Sequence, residues 1–227
     1  MRKGMVVLLI ALMALCMFVS CKNEPQNTSK LGTKGPAGGI IFYDCDADNN
    51  EENDGAGPDN LKSDLCGWRY LEAAPEDAND GTKVCFGYYY NSTQAKWDKV
   101  GTAEAIGKGN GNTQLLVIQM GSETYPEQDT TKTKTTYAAK VAYDYKCSNE
   151  GKEYTDWFLP SRDEISKMYK YREAIGLSST EYYWSSSESI LDTGYAFIYD
   201  DGATSMSTES RQCLVRAIRQ VKESELQ

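Results

Sequence analysis

Asp156-Trp157-Phe158-Leu159-Pro160-Ser161-Arg162-Asp163-Glu164-Ile165 passes from strand chemistry to helix chemistry at a single residue, Ser161. Pro160 keeps Leu159 extended, Ser161 can cap a helix, and Glu164 three positions on completes a Ser-x-x-Glu capping box. Beyond the cap, Ile165, Met168, Tyr169, Arg172 and Ile175 recur at helical spacing, and Gly176 stands where a helix can end in the left-handed conformation. A buried strand end that runs into an amphipathic helix predicts a packed domain.

Outward from this junction the chain alternates in the same way. Towards the end, residues 182–187, 195–199 and 214–221 read as strands, and Asp200-Asp201-Gly202 turns the middle one into a hairpin with 203–207. Towards the start, 38–43 is an apolar strand suited to burial on both faces, and 67–71 resumes a strand that Pro75 ends. Residues 84–90 are aromatic enough for a strand or packed loop. The glycine-rich run 106–113 lacks the Gly-Lys-Ser/Thr of a phosphate loop, so it reads as a turn with Asn112 or Thr113 capping a helix over 114–120. Residues 124–136 are a polar surface loop, and 137–145 form a second short helix. Strands at both ends with two to three short helices between them predict an α+β domain over 36–221. Its sheet is mixed and antiparallel, with the terminal strands paired.

Ahead of that domain, Arg2 and Lys3 precede an apolar run from Met5 to Val19, the pattern of an export signal over 1–20 and too short for a membrane span. Ser20-Cys21 then a polar tract resembles a bacterial lipobox, which makes Cys21 a lipidation site and 21–35 a flexible tether to the bilayer. Lys22 is not an acidic sorting residue, so an outer-membrane or cell-surface anchor is expected. Residues 222–227 read as a tail.

The formal charge is -9, and loss of Arg2 and Lys3 with the signal makes it -11. So acidic a chain excludes nucleic acid as a partner and argues against long polyanions. It has no histidine, which removes Ser-His-Asp and Cys-His catalysis and histidine-ligated metals. Of seven cysteines, Cys16 leaves with the signal and Cys21 carries lipid. Cys45 and Cys66 bracket an acidic insert and suggest a disulfide. Cys85, Cys147 and Cys213 supply one further pair and one thiol, in an order the spacing leaves open. Within the insert, Asp44, Asp46, Asp48, Asn50 and Glu52 place oxygens at every second position, a pattern that fits calcium.

Several runs occur in an order that resembles a known family. They are Gly38 to Tyr43, Trp68 to Pro75, Gly107 to Thr113, Ala138-Ala139-Lys140, Asp156 to Ser161, Tyr183 to Glu188 and Val215 to Arg219. Together they resemble the bacterial family covering the C-terminal domain of a collagen-like adhesin, over nearly all of 36–221. The resemblance implies a C-type-lectin-like fold, shared with formylglycine-generating sulfatase modifiers, and a habit of ligand binding. The modifiers' cysteine pair finds no residue-by-residue counterpart, so no catalytic role is implied. The expectation is a non-catalytic envelope lipoprotein that displays a module for a glycan or protein ligand. Its site is placed at Trp184, Ser186, Glu188, Tyr195 and Tyr199, where aromatic faces and short polar groups meet. A structural, envelope-organising lipoprotein is the alternative.

Overall fold

Residues 213–221 form the seam on which the domain is assembled. The computed structural model describes residues 30–46, 66–189, 195–200 and 203–226. Along the seam, Cys213 bridges Val84, Leu214 bridges Tyr183, and Ile218 bridges Phe158. The last four residues are the strand β10 (Ile218–Val221). It pairs antiparallel with β2 (Tyr70–Ala73), whose other edge takes β1 (Ile40–Asp44).

The remaining strands form three separate units. β3 (Tyr89–Asn91) and β4 (Lys96–Asp98) make one hairpin, and β5 (Cys147–Asn149) and β6 (Lys152–Tyr154) another. The second three-stranded sheet is β7 (Tyr183–Glu188), β8 (Tyr195–Asp200) and β9 (Ala203–Thr208), in that order and antiparallel. The α+β expectation therefore holds, with two small antiparallel sheets and two hairpins in place of one sheet. The terminal strands share a sheet but do not touch each other, because β2 lies between them.

Among the described residues the helices are α1 (Gly109–Met120), α2 (Ala138–Asp144), α3 (Arg162–Met168) and α4 (Arg172–Ile175). The capping box at α3 forms as its sequence requires. Ser161 Oγ accepts from the Glu164 N–H, and Glu164 Oε2 accepts from the Ser161 N–H at 2.7 Å. A 3-10 turn, Tyr169–Tyr171, separates α3 from α4 and resets the helical phase. Ile165, Met168 and Ile175 are buried, while Tyr169 and Arg172 turn to solvent. Gly176, at φ 76°, ends α4 in the left-handed conformation.

α1 begins five residues before the predicted start, and neither Asn112 nor Thr113 caps it. Both lie inside the helix and tie it to its neighbours. Asn112 Oδ1 accepts from the Ala103 N–H, its Nδ2 donates to the Ala103 carbonyl, and Thr113 Oγ1 accepts from the Leu159 N–H. A Cβ at 109 would meet the Leu159 carbonyl oxygen and Ser161 nitrogen at 2.9 Å, so Gly109 serves close packing, whereas Gly111 faces open space.

The ends of the domain are more ordered than a tether and a tail would be. Gly32 donates to the Ile41 carbonyl, Ile41 donates to the Thr33 carbonyl, and Lys34 bridges Ile40, so residues 30–35 fold onto β1. After β10, Glu223–Leu226 form a 3-10 turn. Leu226 packs with Leu31 against Ile41, Tyr70 and Val221. Among the described residues no helix is long and apolar enough to cross a membrane. Cys21 lies outside the described residues.

Candidate functional site

The residues expected to meet a ligand are structural. Trp184 is fully buried, with Nε1 donating to the Val84 carbonyl at 2.8 Å and its ring edge-on to Phe86. Ser186 is equally sealed, between Asn112 Nδ2 and the Pro160 carbonyl. Glu188 turns inward and accepts from the N–H groups of Val100, Gly101 and Thr102 at 2.8–3.1 Å, pinning that loop. Tyr199 is buried, and Tyr195 lies in β8 with its side chain outside the described set. The serine-rich strand can be buried because each hydroxyl finds a carbonyl: Ser185 donates to Phe197 and Ser187 to Ala103. Trp184, Ser186, Glu188 and Tyr199 are thus core residues and not the exposed face that the sequence suggested.

Of the five acidic-row residues, Asp48, Asn50 and Glu52 lie outside the described residues. Asp44 is buried and accepts from Arg69 Nε at 3.0 Å and Nη2 at 3.2 Å, with Asp46 Oδ2 3.8 Å from the same Nε. That half of the row therefore faces a guanidinium. Among the described residues no group of three or more His, Cys, Asp or Glu side chains could hold a metal. Cys45 and Cys66 are free thiols whose sulfurs stand 3.9 Å apart and share the Trp68 carbonyl. Burial, reinforced by Cys66, pushes the Cys45 thiol up and keeps it protonated.

The structure assembles a different site, a cavity of about 500 Å³ between β10, the start of β6, the loop after it and the turn at 223–226. Its walls carry Trp68, Lys152, Asp156, Arg219, Lys222 and Glu225, with the amides of Asn110 and Gln220. The volume lies in the range of small-ligand sites. Arg219 is the hub, and only 4% of its side chain is exposed. Its Nε and Nη2 grip both oxygens of Asp156 at 2.9 Å, Nη2 also meets Glu225 at 2.8 Å, and Nη1 reaches Glu72 at 3.2 Å.

β-sheet register sets this up, since Arg219 of β10 lies directly opposite Glu72 of β2. Burial works against the charge of Arg219, but Asp156 and Glu225 outweigh it and hold the guanidinium ionised. Burial pushes the Glu72 carboxyl up, opposed by Arg219 and by the N–H groups of Gly39 and Ala37. Lys152 lies over the Tyr154 ring at 4.6 Å. Neither it nor Lys222 has a carboxylate partner among the described residues. The motif runs of the sequence contain Glu72 and Arg219, but composition alone did not mark them. The available signal was a charge inside each of two otherwise apolar strands, because such charges fold only as a pair.

A second surface feature is the aromatic group on the β3–β4 hairpin. Trp97 is its hub, edge-on to Tyr90 at 5.1 Å, Tyr125 at 5.4 Å and Tyr88 at 6.0 Å. Tyr90, Trp97 and Tyr125 are each half-buried, and Lys134 lies over Tyr125. Neither family models nor curated proteins give a match to this chain.

Proposed function

We propose that this chain is a non-catalytic cell-envelope lipoprotein, acylated at Cys21 and held at the outer membrane or cell surface. It displays a C-type-lectin-like module of the collagen-like adhesin C-terminal type, and that module binds a glycan or protein-derived ligand. The observation that carries this reading is the 500 Å³ cavity, whose charged, amide and aromatic walls suit recognition of a polar molecule. The absence of histidine in the whole sequence supports binding over catalysis. The half-buried rings around Trp97 favour a second contact surface for a larger ligand, since aromatic faces stack well on sugars and peptides. Calcium joins the proposal only through the acidic row that begins at Asp44.

The test is a glycan and matrix-protein array probed with the mature chain at physiological salt, with and without calcium. A saturable hit that weakens when Lys152 or Lys222 is replaced supports the cavity. One that weakens on replacing Trp97 instead moves the site to the hairpin. A blank in both buffers sinks the recognition reading and leaves the structural, envelope-organising role. Radiolabelled palmitate should label the wild type and not Cys21→Ala.

A further inference from the structure

We infer that the Arg219 cavity is a site for a small organic carboxylate, and that Glu225 occupies the ligand's place in the empty domain. The inference rests on the ligand-binding reading above and assigns the ligand its chemistry.

Three carboxylates converge on Arg219, and they are not equivalent. Glu72 is completely buried and also accepts from the Gly39 N–H at 2.9 Å and the Ala37 N–H at 3.0 Å, so it belongs to the sheet. Asp156 is gripped through both oxygens. Glu225 makes one bond to the guanidinium, from a 3-10 turn of Glu223–Leu226 in which no residue is buried. Its other oxygen accepts the Lys222 N–H at 3.0 Å. Asp156 is the more exposed of the two, at 55% against 22%, but it holds Arg219 through two bonds, whereas Glu225 does so through one. Glu225 is thus the one of the two whose exchange breaks fewer bonds to Arg219, and the group that replaces it must itself be a carboxylate or a close mimic to satisfy Nη2.

Charge in the cavity points the same way. With Glu225 displaced, Arg219, Lys152 and Lys222 face Asp156 at the wall and Glu72 beneath it, an excess of one positive charge on a chain whose formal charge is -9. A long polyanion would have to lie along the acidic surface outside. A small anion enters without meeting it. Asn110 and Gln220 also belong to the lining, and residues that can both donate and accept favour an organic acid carrying hydroxyl or amide groups over a bare inorganic ion.

The test uses D-gluconate as probe, titrated by calorimetry into the mature chain, with D-glucose and inorganic phosphate in parallel. Gluconate should bind saturably, glucose at least tenfold more weakly, and phosphate more weakly than gluconate. Glu225→Gln keeps the size of the side chain and removes its charge. It should tighten gluconate binding about tenfold, the worth of one charge-assisted hydrogen bond, and lower the ligand-free melting temperature by about 3–6 °C, since the same bond is lost from the fold. Lys222→Met should weaken binding in both backgrounds. No gluconate binding by either the wild type or Glu225→Gln overturns the inference, as does unchanged or weaker binding by Glu225→Gln. Phosphate that matches gluconate overturns the organic class. If gluconate fails while the array still gives a hit that depends on Trp97, the inference falls and the recognition reading stands. If both fail, both fall.

Discussion

Replacing Arg219 with methionine should cost about 3–5 kcal/mol, because it keeps the apolar stem and leaves the carboxylate of Glu72 buried without its counter-ion. Only the Ala37 and Gly39 N–H groups would remain to it. For a domain of this size the melting temperature should fall by roughly 6–20 °C. The cost should also depend on pH. With Arg219 absent, burial raises the folded-state pKa of Glu72 further above its unfolded value. A raised carboxyl contributes stability that is full below the unfolded pKa and lost as pH rises through the folded one. The gap between wild type and R219M, measured by urea unfolding at pH 5 and pH 8, should therefore widen with pH. In the double variant E72Q/R219M the widening should vanish and part of the loss should return, since glutamine still accepts an N–H. A cost below about 1 kcal/mol, or one that is the same at both pH values, would refute the view that the pair is a buried ion pair essential to the first sheet.

Glu164 gives a second pH signature. Burial pushes its carboxyl up to about 7 against the pull of the Ser161, Gly107 and Gly109 N–H groups. Stability should decline by about 3 kcal/mol as pH rises from 4.5 to 7, and urea midpoints of E164Q should show a flatter profile over that window. Gly39→Ala should lower the urea midpoint by the equivalent of about 1–3 kcal/mol, because a Cβ there drives into the Ala73 carbonyl across the β1–β2 pair. The mature chain exported under oxidising conditions and then denatured should titrate at least two thiols fewer than the five it has when reduced. Cys45→Ser should shrink that difference by two and lower stability by about 3 kcal/mol, the loop-closure value for this separation.

What the sequence made legible was local. The capping box spans four residues and forms as read. Gly176 ends its helix, and the apolar strand at 38–43 and the aromatic, serine-rich strand at 182–187 exist within a residue or two of their expected ends. The helical stripe does not continue as one helix because Tyr171, at the end of the 3-10 turn, leaves helical backbone before α4, a break that no window of the chain records. Asn112 was read as a cap because caps are the commonest local use of asparagine, yet its partner is Ala103 and its neighbour Ser186. The hairpin β5–β6 was missed although its signal was present. Glu150-Gly151 takes φ 51° and 81°, the two-residue turn with both central residues left-handed. The site was the least legible part. Serines and a tryptophan in a strand look like a binding face, and only tertiary partners for each hydroxyl reveal them as core. Arg219 and Glu72 meet across 147 positions of sequence, beyond the reach of any spacing rule.

That separation also governs when the domain can come into being. A chain that emerges residue by residue presents β2 with one edge unpaired and a carboxylate in the middle of its strand, and neither is resolved until β10 arrives with Arg219. The seam at 213–221, which also receives Val84, Phe158 and Tyr183, arrives equally late. Until β10 is in place the first sheet stays open on one edge and the Glu72 carboxylate keeps its water, so the strands made first are among the last to be completed.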